Sequence, residues 1–330
     1  MKARRGCTVR PAFSWMDIFV AIALLALLIS ILLPSLSRAR ELAKRNVCAA
    51  NIRGVAQSMH LYANDNREWF PHHYFEANTR ADHHDAQAPT FDHGVRWVGM
   101  MGSSDALRIS QETSPTLSPK ASHSSRSLFL LIISNYTTVH GFICPSSGDV
   151  PDDLRNYGPD SARGEMSAAQ PGVDRFDFRG YDKLSFGMRL PYSGAAFNTR
   201  LDPRTPVAAD KSPFYTRGGP GLAGSETMHD ARSSLEPNAA WRTMSVEQIL
   251  KLRERALRSY NSVNHASEGQ NVAFADGHVE FALTPFAGLG RDNIYTLQDG
   301  GETLNAMVGM VPSETATLGP NLPQDSFMVP

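Results

Sequence analysis

Cysteine is scarce in this chain of 330 residues, with only Cys7, Cys48 and Cys144, and that excludes a fold held by a dense disulfide scaffold. Charge of one sign is lacking too. The 32 Lys and Arg are scattered among 33 Asp and Glu for a net charge of -1, so there is no clustered basic surface to release counterions from nucleic acid, and nucleic acid is not expected as a partner. Catalytic signatures are also missing. No Ser-His-Asp order, nucleophile elbow, phosphate loop or dinucleotide fingerprint appears, and the glycine-rich "GGPGLAG" at 218–224 lacks a flanking strand-to-helix pattern. The expectation is therefore a protein that is not an enzyme, with no catalytic residue and no cofactor. Disorder is excluded by a composition that is 42% hydrophobic and 20% charged.

What the chain does have is one long apolar run. Ile18 to Leu33 carries no charge, and the wider stretch from Phe13 to Leu36 carries only Asp17. As a helix this is long enough to cross a hydrocarbon layer of roughly 30 Å. Lys2, Arg4, Arg5 and Arg10 precede it and favour a cytoplasmic N-terminus, against the opposing vote of Arg38, Arg40, Lys44 and Arg45 beyond it. A secretory signal peptide shares the basic start and apolar centre, with a small-x-small site at Ser35 and Ser37. Its apolar region would be shorter, and a removed signal has no reason to continue as a helix. Asp17 needs an explanation in either case, since a carboxylate at the bilayer centre costs roughly 2.5 to 3.5 kcal/mol. Either it meets a compensating partner or it reaches the cytoplasmic interface. With the membrane segment placed, Cys48 and Cys144 fall on its far side and could pair in an oxidising compartment, whereas Cys7 could not join them; two buried thiols are the alternative.

The helical pattern does not stop at the membrane boundary. Ile52, Val55, Ala56, Met59, Tyr62 and Ala63 recur at three- and four-residue spacings, one apolar stripe on a helix that continues to about Asn66. Pro34 interrupts this rod, because its ring removes a donor and crowds the carbonyl of Ser30, so a bend or loosened turn is expected there. "NDNREWFP" ends it.

Beyond Pro71 the pattern changes to short apolar pieces separated by Gly, Pro, Ser and Asp. Residues 110–127 read as a polar loop, Ser127 to Tyr136 as a short helix, "HGFICPSS" as a strand, and "KLSFGMRL" and "TPVAAD" as extended pieces. Ser245 to Asn261 reads as a capped helix with basic residues late. In "NVAFADGHVEFAL", Asp276-Gly277 reads as a two-residue hairpin turn that pairs Phe274 with Val279 and Val272 with Phe281.

Two groups of titratable residues bear on chemistry. His72, His73, His83, His84 and His93 with Asp82, Asp85 and Asp92 are metal-ligand types, but no defined spacing joins them and a solvated loop accounts for them; no metal is assigned. His265, Asp276 and His278 could approach one another, with Asp276 reading first as a turn residue.

The stretch "FSWMDIFVAIALLALLISILLPSLSRAR" resembles the N-terminal segment of type IV pilins and type II secretion pseudopilins, whose mature chain begins with Phe, carries an acidic fifth residue and has a proline near the twenty-second position. Counting Phe13 as first, Asp17 is fifth and Pro34 twenty-second. This chain has Ala12 where the family usually has Gly, and Asp17 where it usually has Glu. "CAANIRGVAQSMHLYANDNREWFP", "FICPSSGD", "LSFGMRL", "TPVAAD" and "NHASEGQNVAFADGHVEF" look like the large pilin-like proteins with a C-terminal histidine, nine residues, then Asp-Gly; here ten residues separate His265 from Asp276.

The resemblance implies an α+β fold in which a long N-terminal helix, transmembrane then amphipathic, packs on an antiparallel sheet within a loop-rich pilin-like globular region. It implies a cytoplasmic leader at 1–12, cut between Ala12 and Phe13 by a prepilin peptidase, with methylation of the new Phe13 amine. A transmembrane helix at 13–36, its periplasmic continuation at 37–68 and a globular domain at 69–330 would follow, in a single-pass protein of a bacterial inner membrane. The partners implied are the peptidase, other pilin-like subunits, inner-membrane assembly proteins and membrane lipid, with Asp17 meeting the free amine of a neighbouring subunit. The function so implied is that of a structural or minor subunit of a pseudopilus or type IV pilus-like secretion assembly, and a globular part larger than a major subunit would need favours the minor role. The rival is a membrane-tethered or secreted extracytoplasmic binding or hydrolytic domain.

Overall fold

The computed structural model describes residues 15–71, 125–154, 178, 181–189, 197–213, 244, 247–248, 251–252, 257–296, 325–326 and 328–329. The chain divides into two compact units, Met1–Ala43 and Lys44–Pro330. Helix α1, Trp15–Asp65, is 51 residues long. Its sequence is rich in Ala and Leu, with Gly54 as its one glycine and Pro34 as its one proline, so little in it opposes helix formation.

In the first unit, every described residue from Trp15 to Arg40 is exposed on α1. That stretch is long and apolar enough to cross a membrane, and none of it is covered by protein. An apolar helix surface of this size has no use in water, so the segment is a candidate membrane anchor. Pro34 lies inside α1 with helical residues on both sides, and nearby the Ser30 hydroxyl donates to the Leu27 carbonyl at 2.7 Å.

In the second unit α1 changes character. From Cys48 onward one face is buried, carrying Cys48, Ile52, Val55, Ala56, Met59 and Ala63 with relative exposures of 0%. The three- and four-residue spacing of these side chains puts them on one stripe. Tyr62 sits at its margin, edge-on to Tyr136 with ring centroids 5.8 Å apart. The helix ends as the Glu68 N–H reaches back to the Ala63 carbonyl at 2.8 Å with Arg67 in the left-handed region at φ 55°, a Schellman-type close.

Helix α2, Ser125–Ile133, begins two residues before the expected start and supplies Leu128, Phe129, Leu131 and Ile132 to the same core. "HGFICPSS" is not a strand. Val139–Phe142 forms a 3-10 helix and Cys144 opens a tight turn, its carbonyl accepting from Ser147 N at 3.1 Å. Alternation misled here because Phe142 and Cys144 enter the core from an irregular segment whose bonds are mostly local, Gly141 N to Thr138 O among them. The helix expected at 245–261 falls largely outside the described residues; Arg258–Tyr260 is a 3-10 turn.

The sheet has strands β1, Phe186–Arg189; β2, Pro206–Asp210; β3, Gln270–Phe274; β4, Val279–Ala282; and the two-residue β5, Met328–Val329. Their order is β4-β3-β2-β1-β5, with every neighbouring pair antiparallel. "KLSFGMRL" and "TPVAAD" are thus the extended pieces expected of them. Pro206 is the first residue of β2, where a missing donor is tolerated, and the ladder to β3 bulges between Pro206 and Ala208. Strands β1, β2 and β3 are buried throughout, and β4 is only partly covered. The result is an α+β layout in which the second half of α1 shares a core with Phe186, Met188, Val207, Ala208 and Ala273 of the sheet.

The hairpin register differs by one residue from that expected. Val272 pairs with Glu280 and Ala273 with Val279. The loop has three residues, Ala275, Asp276 and Gly277, closed by Phe274 N to His278 O at 3.0 Å and Gly277 N to Phe274 O at 2.8 Å. Gly277 has φ +85°, which is a type I turn followed by a left-handed residue rather than a type I′ turn. The extra loop residue shifts the pairing and thereby changes which β4 side chains share a face with Val272.

Candidate functional site

Four side chains meet between α1 and the sheet: Cys48 from α1, Cys144 from the turn after the 3-10 helix, Asp210 from the last position of β2, and His265 from the segment before β3. Each is between 0% and 1% exposed, and one ligand atom from each lies within 4.8 Å of all the others. The Cys48 thiol donates to Asp210 Oδ1 at 3.2 Å, Cys144 Sγ lies 3.4 Å from His265 Nε2, and His265 Nε2 lies 3.7 Å from Asp210 Oδ2.

Local structure holds each group. Cys48 is the first buried position of the α1 stripe, so the helix surface aims it inward. The Cys144 turn brings the Ser146 N–H back onto its own sulfur at 3.4 Å. Asp210 is fixed from both sides. Its Oδ1 accepts from Asn264 Nδ2 at 2.9 Å, and its Oδ2 accepts from the Asn271 backbone N–H at 2.6 Å and from Asn271 Nδ2 at 3.3 Å. The Tyr295 hydroxyl donates to the Asp210 carbonyl at 2.9 Å, which pins the end of β2. His265 is held by an unusual backbone, with His265, Ala266 and Ser267 at φ 54°, 54° and 58°. None is glycine, so each stores strain on the order of 1 to 3 kcal/mol that the surroundings must hold in place. The His265 ring is edge-on to Phe281 with centroids 5.8 Å apart.

Burial sets the electrostatics. It pushes the Cys48 thiol far up, with Cys144 and Asp210 adding to the shift. Cys144 moves the other way, to about 6, because the neighbouring Cys48 first and then His265 favour its charged form against the opposing burial. Asp210 is raised by burial, opposed first by His265 and then by its amide donors. Chemically, the arrangement offers two sulfurs, a carboxylate oxygen and an imidazole nitrogen to one another. They could hold a cation, or the sulfurs could oxidise to a disulfide; here both cysteines are free thiols. A sulfur this deeply covered meets no substrate in this conformation.

Cys48 and Cys144, considered in the sequence as a pair, thus lie in one cluster. His265 does not join Asp276 and His278. It lies before β3, while Asp276 and His278 form the exposed turn after it, bonded to each other by the His278 N–H on Asp276 Oδ1 at 3.0 Å. Asp17 is exposed on the first unit's part of α1. Ala12, Phe13 and the histidine-rich stretch from His72 to His93 lie outside the described residues. Sequence reasoning missed Asp210 and the role of His265. No local motif marks them, because Cys48 is 162 residues from Asp210 and Cys144 is 121 from His265. The usable signal was that Cys48 heads the apolar stripe of α1 and that Cys144 and Asp210 close the short apolar pieces "GFIC" and "PVAAD"; the polar surroundings of His265 gave none.

No protein-family model, no curated protein and no solved structure matches this chain.

Proposed function

We propose that the chain is a membrane-anchored structural subunit of a pilin-like assembly of the type IV pilus or type II secretion kind, matured by a prepilin peptidase. The observation that carries this reading is the division of labour along α1. One continuous helix has an apolar, wholly exposed first part and a second part whose inner face belongs to the core of the globular unit. A simple tether needs the first property only. A helix whose second part also supplies the core of the folded unit suits a subunit whose helices bundle while the folded units stay outside. The spacing of Phe13, Asp17 and Pro34 supports the same reading.

In this reading the leader to Ala12 stays cytoplasmic, Phe13 becomes the amino terminus and is methylated, and the folded unit faces the periplasm. The mature protein extracted from membranes that contain a prepilin peptidase is expected to begin FSWMD by N-terminal sequencing, and to remain uncut where the peptidase is deleted. A start at Arg38 would mean a secretory signal. An uncut chain in both strains would leave only a tethered domain.

A further inference from the structure

We propose that Cys48, Cys144, Asp210 and His265 bind one zinc ion in a closed, tetrahedral, structural site. This inference is independent of the assembly role, since it concerns the interior of the unit that begins at Lys44.

The donor geometry comes first. With Zn–S near 2.3 Å and Zn–N and Zn–O at about 2.0 to 2.2 Å, the edges of a tetrahedral donor set are about 3.4 to 3.8 Å. Cys48 Sγ to Asp210 Oδ1 at 3.2 Å and Cys144 Sγ to His265 Nε2 at 3.4 Å lie at or just under those edges, and one donor atom from each of the four residues lies within 4.8 Å of all the others. Small outward movements of the side chains would open the centre. The donor types come second. Two sulfurs and an imidazole suit a borderline-soft ion and not calcium or magnesium, and zinc accepts a carboxylate as its fourth ligand.

Third, the surroundings are those of a metal site. The Asp210 carboxylate receives the Asn264 and Asn271 amides and a backbone N–H, and the Cys144 sulfur receives the Ser146 N–H. Such outer contacts orient ligands and temper their charge. Two thiolates, one carboxylate and a neutral imidazole around a divalent ion leave a single net negative charge, and these donors face it. Binding displaces the thiol protons to solvent as the Zn–S bonds form, with no change of oxidation state. Finally, four protein ligands leave no open position, so the ion would serve as a cross-link and not as a Lewis acid. It would tie the α1 stripe to β2 and hold the strained segment at His265.

The competing use of the same atoms is a Cys48–Cys144 disulfide, which would leave Asp210 and His265 as a buried ion pair. The full chain, extracted from membranes in detergent on a tag without histidine and without chelator or reductant, decides between them. About one zinc per chain by elemental analysis is expected, with two sulfur and two nitrogen or oxygen neighbours in the X-ray absorption spectrum, and with both thiols reduced by mass spectrometry. Cys48→Ser combined with Cys144→Ser should drop the sulfur-ligated zinc below about a tenth of the parent level. Asn264→Ala, which keeps all four ligands, should weaken zinc about 10- to 100-fold in chelator competition. Three results would each overturn the proposal: an intact Cys48–Cys144 disulfide, a chain that takes up no zinc after exposure to the metal, or zinc bound without sulfur. The last would point instead to the histidines between His72 and His93.

Discussion

Gly277 shows how one residue's backbone decides a turn. Its φ is +85°, and a Cβ built there would meet nothing within 4 Å, so the position demands glycine for conformation and not for space. Gly277→Val is expected to lower stability by about 1 to 3 kcal/mol, read as a shift in the denaturation midpoint of the full chain, and an unchanged midpoint would reject the left-handed assignment. Gly269 is the converse. There a Cβ would sit 2.5 Å from the Ala282 carbonyl oxygen and 2.7 Å from the Phe281 ring, so Gly269→Ala is expected to push β4 from β3 at a cost of about 1 to 3 kcal/mol. Amide exchange along Val279–Ala282 would report it. Asp276, next to Gly277, has its carboxyl held below the usual range, chiefly by the His278 backbone N–H. A depressed carboxylate stabilises the turn above its unfolded pKa and loses that contribution as pH falls through the folded value, so hairpin protection should decline in acid and not in base.

Along α1 the two parts of one helix should respond to mutation in opposite ways. Ile52 is 0% exposed in the core, whereas Leu25 is 58% exposed on the apolar surface of the first unit. Ile52→Ala is expected to destabilise the folded unit by about 2 to 5 kcal/mol through lost burial and the cavity left behind. Leu25→Ala is expected to leave the same denaturation midpoint within about 0.5 kcal/mol while weakening retention in membranes. Equal effects on the midpoint would contradict the division of labour along the helix. In the sheet, Arg189 of β1 is 1% exposed, and its Nε and Nη2 donate to the Asp325 carbonyl at 3.1 and 2.9 Å. Composition gave no hint of it, because an arginine at a strand end reads as a solvated residue until the C-terminal segment covers it.

At the scale of the whole molecule, the proposed assembly rests on Asp17. If its carboxylate meets the freed Phe13 amine of a neighbouring subunit, the cost of placing it at lipid depth is offset only in the bundle. Asp17→Ala should therefore insert and be cleaved but fail to assemble, Asp17→Glu should assemble, and the uncleaved Ala12→Leu should sit in the membrane and fail as Asp17→Ala does. Crosslinking between subunits in membranes holding the whole machine reads all three. Ladders of equal strength in every variant would make the carboxylate an interfacial residue with no role in assembly.

The long helix, its apolar first part and the buried stripe from Ile52 to Ala63 were legible in the sequence, because helical periodicity and apolar length are local properties that survive without knowledge of the fold. So were the extended pieces of β1 and β2 and the existence of the hairpin. The hairpin register was not, since Asp-Gly suits a two-residue and a three-residue loop alike, and only the ladder against β2 and β4 selects between them. The strand expected at "HGFICPSS" failed for a similar reason: apolar alternation records burial, and burial can be met without a ladder. The meeting of Cys48, Cys144, Asp210 and His265 belongs entirely to the tertiary structure. Their segments are far apart in the chain, and it is the packing of α1 against the sheet, with a strained left-handed segment at His265, that brings two sulfurs, an oxygen and a nitrogen to one point.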